Sequence, residues 1–189
     1  MILLFAETAF SHSTGDIASA SGGGFLAGFL HPVSGLDHVV AMVAVGLWGA
    51  FLGAPAIWLL PVVFPMVMAF GGVLGIAGVP VPAVEILIAI SGIVLGIMVA
   101  TKAKPPIYVA AIIVGIFAIF HGYAHGEELP EAAEPLAYSI GFVSATGLIH
   151  IGGISLGLLT KWKSGLLAIR ILGGLICLVG FYFLKIALF

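Results

Sequence analysis

Apolar stretches of roughly 20 residues, the length of a membrane-crossing helix, follow one another along the chain with short polar or proline-marked breaks between them. The first runs from Phe25 to Leu52 and is interrupted at His31-Pro32. Proline has no backbone donor and turns the residue before it away from helix. The pattern therefore predicts a short leading helix over Phe25 to Leu30, a break over His31 to Gly35, and a first full span over Leu36 to Leu52. A second span follows over Ile57 to Ala77, with Pro61 and Pro65 in its first turns, and a third from Pro82 to Ala100. The fourth opens at Pro105-Pro106, where a first helical turn tolerates proline, and ends near His121 to Gly126. The fifth runs from Pro135 to Leu159 and the sixth from Ser164 to Leu184. The predicted fold is an all-α integral membrane protein, a bundle of about six transmembrane helices with helix 1 broken at His31-Pro32.

The loops give this bundle a direction. Lys102 and Lys104 follow the third span, and Lys161 and Lys163 follow the fifth. Positively charged loops stay in the cytoplasm, and Arg170 is near enough to the same end of the sixth span to snorkel there. Alternation then places the N-terminus and the loops at Val79 to Val81 and Glu127 to Glu134 outside. Trp48, Trp58, Tyr108 and Trp162 fall at the inner ends and Tyr123 and Tyr138 at the outer ones, as interfacial aromatic belts require. Glycines recur inside the spans, among them Gly71, Gly72, Gly75, Gly92, Gly96, Gly152, Gly153 and Gly157; small residues let membrane helices approach closely.

Composition agrees with this pattern. Of 189 residues, 62% are hydrophobic and 7% charged, against about 25% charged in soluble domains. Residues 24–189 form one transmembrane domain, and residues 1–23 an N-terminal segment. Ala9-Phe10-Ser11 ahead of His12 has small residues where a signal peptidase cuts, so that segment reads as a signal remnant and periplasmic tail, with an ordinary leading segment as the alternative. The net charge of −2 and the lack of a basic stripe or Walker-type glycine loop exclude a nucleic-acid partner and an ATP-binding domain in this chain. The single Cys177 lies in an apolar run and packs there, with no disulfide framework and no CxxC metal site.

The candidate chemistry lies in the ionisable side chains of the spans, where such groups are costly and tend to be functional. His31, Asp37 and His38 cluster at the outer end of the first span; His121 and His125, followed by Glu127 and Glu128, cluster at the outer end of the fourth. Residues three and four apart share a helix face, so His121, His125 and Glu128 point one way if the helix reaches that far. The topology brings both clusters to one membrane depth. Imidazole with carboxylate suits nickel, zinc, cobalt or iron(II); without thiolates a copper(I) site is not expected, and magnesium or calcium would want more oxygen ligands. Asp37 can instead cap its helix or orient a histidine. His150, mid-span in the fifth helix one turn after Thr146, is placed on the transport path. So are Glu127, Met42 one turn below His38, and Glu85, the last also suited to the positive end of its helix dipole. Met66 and Met68 read as core.

The stretch His31-Pro32-Val33-Ser34-Gly35-Leu36-Asp37-His38, continuing to Gly46-Leu47-Trp48, resembles the signature of the HupE/UreJ family of nickel permeases. The segment from Phe120-His121-Gly122-Tyr123 to Ala124-His125-Gly126-Glu127 resembles that family's second motif, and the likeness extends over nearly all the chain from Gly24. The resemblance implies secondary uptake of nickel, sometimes cobalt, for hydrogenase or urease assembly by a multi-helix bundle. It also implies a cleaved signal that exposes a histidine near the mature N-terminus. His12 matches that as an N-terminal metal-capture residue, although the leader here is shorter than the family's.

The reading that follows is a permease, not an enzyme, in the bacterial inner membrane, multi-pass, with a periplasmic N-terminus. Its partners are the lipid bilayer and a divalent transition metal ion, the metal is the substrate, and no organic cofactor is expected. Two other classes use the same side chains. An intramembrane metalloenzyme would need an open coordination position and a water nucleophile, and a bis-histidine haem protein would ligate iron between helices.

Overall fold

The computed structural model describes residues 24–128 and 134–189. The N-terminal segment expected to be a signal remnant, with His12, and part of the Glu127 to Glu134 loop lie outside the described residues. The helices are α1 (Phe25–Ser34), α2 (Leu36–Leu52), α3 (Ala56–Ile76), α4 (Val84–Thr101), α5 (Ile107–Glu127), α6 (Pro135–Gly157) and α7 (Lys163–Leu188), with a 3-10 turn (Leu158–Lys161) between the last two. Among the described residues there is no strand. Five helices are long and apolar enough to cross a membrane, and α1 with α2 makes a sixth span bent by 86°.

The broken first span is present, with its break at Gly35, at the far end of the expected His31 to Gly35 interval. Helix α1 continues through His31 and Pro32 to Ser34. A proline there removes only its own bond back to Gly28, and α1 ends within a turn in any case. The Ser34 hydroxyl then donates to the His31 carbonyl at 2.6 Å, and Gly35 turns the chain through an extended backbone (φ −98, ψ 112). Packing holds α1 in this bent position: a Cβ on Gly28 would collide with the carbonyl of Tyr138, and one on Gly141 with that of Phe25.

Helix α2 runs through the centre, packed on α6, α4, α3 and α7, with Ala41, Met42, Ala44, Val45 and Leu47 fully buried. Around it α3 pairs with α5, α4 with α7, and α1 with α6. Large apolar side chains such as Met66, Phe70, Leu136, Ile151, Leu178 and Phe181 face outward, the surface that acyl chains would cover. Trp58, Tyr108 and Trp162 are exposed as belt residues should be, but Trp48, Tyr123 and Tyr138 are buried. Trp48 is a core residue that gives its indole N–H to the Ala103 carbonyl at 3.0 Å. An indole buried against a helix end needs such an acceptor, and position along the sequence did not distinguish it from a lipid-facing ring.

Charge divides between the two ends. Lys102 and Lys104 lie over the Phe51 ring and Arg170 donates to the Ala100 carbonyl at 2.8 Å; Lys161 and Lys163 stand at the same end, between α6 and α7. Asp37, Glu85, Glu127, Glu128 and Glu134 stand at the other, at the start of α2, α4 and α6 and the end of α5. Lys185, near the end of α7, is the cation at the acidic end.

Candidate metal site

At the acidic end, three helices bring four histidines toward one another. His31 comes from the last turn of α1, His38 from the first turn of α2, and His125 and His121 from the last two turns of α5. Their rings form a file. His31 meets His125 at 4.8 Å between centroids, His125 meets His38 at 4.4 Å, and His38 meets His121 at 4.7 Å. Exposure falls along it, from a partly open His31 to a fully buried His121. The 86° bend at Gly35 makes this possible, because a straight first span would hold His31 and His38 about 10 Å apart along one axis.

At the outer end of the file, His31 Nε2 donates to Glu128 Oε2 at 3.1 Å, and His125 Nδ1 lies 3.9 Å from the same oxygen. One ligating atom from each of His31, His125 and Glu128 lies within 4.8 Å of the others, a group that could hold a metal ion. The His31 imidazole beside Glu128 holds that carboxyl below the usual carboxylate range, against the opposing effect of burial.

Further in, neighbouring side chains fix which nitrogen of each ring is left over. Asp37 Oδ1 accepts both the backbone N–H and the Nδ1–H of His38, each at 3.0 Å, which leaves His38 Nε2 as a buried lone pair with no partner. Ser91 gives its hydroxyl proton to the Ile88 carbonyl at 2.6 Å, so its oxygen accepts Nε2–H of His121 at 2.9 Å. His121 Nδ1 is then the free lone pair, also buried and unpartnered. Both nitrogens of His125 are without a hydrogen bond, and its ring is held by packing on Phe142 at 4.6 Å. Holding one ring nitrogen with a carboxylate or hydroxyl so that the other is presented as an acceptor is how proteins prepare imidazole for a metal. Unpaired buried polar atoms are costly, and four of them lie on these three adjacent rings, where a bound cation would satisfy them. His125 also lines a cavity of ≈ 250 Å³ between α3, α5 and α6, shared with Met68, Tyr138 and Phe142.

The expected residues sort themselves around this file. His31, His125 and Glu128 converge; His38 and His121 continue inward, and Asp37 acts on His38. Glu127 is turned away to accept a hydrogen bond from Tyr123 at 3.1 Å. Glu85 is exposed at the start of α4, within electrostatic reach of Asp37, His38 and the α5 carboxylates. Met42 lies in the core one turn beyond His38. His150 is buried in α6, and among the described residues its one ring contact is Phe64, at 5.4 Å, which in turn touches His121 at 5.5 Å.

Three contributors escaped the reading of the sequence. Ser91 is the one polar side chain between Glu85 and Thr101, and a lone polar residue inside a span is a usable signal. Tyr138, 5.8 Å from His31 with its hydroxyl buried and unpartnered, was assigned to the interface. Phe64 carries no signal in an apolar run.

The profile of the HupE / UreJ protein family matches residues 1–183. Protein HupE of Rhizobium leguminosarum bv. viciae is 50% identical over 157 residues, 83% of this chain and 82% of that protein. No solved structure matches the chain.

Proposed function

The chain belongs to the HupE / UreJ family, and we propose that it is a secondary permease for a divalent transition metal ion, nickel foremost, working in the bacterial inner membrane with its acidic end in the periplasm. The observation that carries this reading is the file of four imidazoles, whose inner members offer buried, unpartnered nitrogens. A cation drawn to the acidic end exchanges part of its water for His31, His125 and Glu128. It then passes to His38 and His121, whose free nitrogens are already oriented by Asp37 and Ser91. Conduction requires sites that bind without trapping, and a row of partial ligand sets meets that requirement better than one closed tetrahedral cage. The five basic side chains of the opposite end support a cytoplasmic side for it, and energy comes from an existing gradient. The haem alternative fits less well, because rings in contact at 4.4–4.8 Å leave no slot for a porphyrin between them.

The test is accumulation of nickel, cobalt, zinc and iron(II), one at a time, in sealed proteoliposomes containing this chain alone. Nickel should accumulate, and His38→Ala and His121→Ala should each remove most of that uptake. Wild-type rates in both variants would overturn the assignment of the file as the pathway, and bound metal without flux would favour an enzyme or sensor.

A further inference from the structure

Past His121 the file of imidazoles is interrupted. Phe64 of α3 is fully buried, and its ring stands between His121 and His150, tilted against the first and edge-on to the second. Beyond it, His150 has both ring nitrogens buried and unpartnered, and so is the hydroxyl of Thr146, one helical turn away on the same face of α6. That hydroxyl is unusual in this molecule. Thr101, Ser144 and Ser155 each donate to the carbonyl four residues before, the ordinary refuge of a hydroxyl in a membrane helix, whereas Thr146 does not. An imidazole and a hydroxyl left without partners deep in an apolar bundle are costly unless something polar visits them.

The helix carrying Phe64 is built in two parts. Its outer half is clamped to α5. A Cβ on Gly71 or Gly75 would strike the carbonyls of Ile119 or Tyr123, and one on Gly122 or Gly126 those of Met68 or Gly72. Just inward, Pro61 and Pro65 flank Phe64. Neither has an N–H, so the carbonyls of Ile57 and Pro61 lose their partners in the helical ladder, and a helix bends where its ladder is interrupted.

We infer that Phe64 is a hydrophobic gate that separates the outer histidine file from an inner cation station formed by His150 and Thr146. In the conformation described, the ring closes the path to a hydrated ion, as apolar constrictions do in other pores. Bending of α3 at Pro61 and Pro65, with the outer clamp fixed, swings the ring aside and lets a partly dehydrated cation pass from His121 to His150. The inference rests on the permease reading.

The test pairs Ni²⁺ binding in detergent with Ni²⁺ flux into sealed proteoliposomes for the wild type, Phe64→Ala, Phe64→Leu and Phe64→Trp. All should still bind Ni²⁺, because each keeps every proposed ligand and changes only a ring packed against His121. Phe64→Ala should carry Ni²⁺ about tenfold faster and admit Mg²⁺ that the wild type excludes, and Phe64→Trp should slow flux by about tenfold. Should Phe64→Ala fail to fold, the leucine and tryptophan variants carry the comparison. Wild-type flux in the variants, or loss of binding together with flux, would overturn the gate and leave Phe64 a packing residue. If the wild type binds Ni²⁺ but moves none, the permease reading fails first and the gate with it, a result distinct from changed rates among active variants.

Discussion

The side chains that aim the histidines are as informative as the histidines themselves. Asp37 and Ser91 each hold one ring nitrogen of a proposed ligand, His38 and His121, so that the other is free. Asp37→Asn keeps the shape and removes the charge that stabilises the Nδ1–H tautomer of His38. We expect Ni²⁺ affinity to drop by about 10–100-fold, the usual cost of losing such a partner, with Ser91→Ala milder because a neutral hydroxyl is a weaker partner. Calorimetric titration of each variant checks this, and Asp37→Glu should restore part of the affinity if orientation is the role. The histidines were legible because ionisable groups stand out in a chain with 7% charged residues. Ser91, Phe64 and Tyr138 were not, because their importance lies in which ring they touch, and that is decided by α4, α3 and α6 converging on α2.

Among the elements, the spans could be read to within a few residues because apolar length and proline punctuation are local properties. The path of α1 could not. Whether a proline ends a short helix or sits in its last turn depends on what the helix packs against, and here the contacts at Gly28 and Gly141 keep α1 helical to Ser34. The glycines of the spans likewise announced close packing without naming partners: Gly71 and Gly75 turned out to face α5, while Gly152 faces open space. The α3–α5 clamp should be intolerant of added volume. Gly122→Ala, next to His121, puts a methyl onto the Met68 carbonyl and should cost about 1–3 kcal/mol, as overpacking does. The measurement is the thermal midpoint of the detergent-solubilised protein, with Gly152→Ala as the neutral control. Equal midpoints would mean that the two helices can separate at little cost.

For the whole molecule, the separation of acidic from basic ends and the protonation of the site act on the same ion. Metal and proton compete for imidazole lone pairs, and free imidazole titrates near about 6.5. Glu128 behaves differently. Its carboxyl is held below the ordinary value of 4.5 by His31, so its charge is fully present above that value and is lost only as pH falls through the lowered one. On mild acidification Glu128 therefore stays anionic, with its Oε2 3.1 Å from His31 Nε2. Nickel uptake should fall as pH drops below neutral, by as much as about tenfold per unit for each proton displaced. Glu128→Gln removes a ligand and a negative charge together, so its uptake should be weaker than that of the wild type at every pH at which Glu128 is ionised. Uptake measured from neutral pH downward in proteoliposomes, with the same pH on both sides so that no proton gradient contributes, checks both expectations. A Glu128→Gln curve that coincides with that of the wild type would mean that the carboxylate at the mouth neither binds nor attracts the cation.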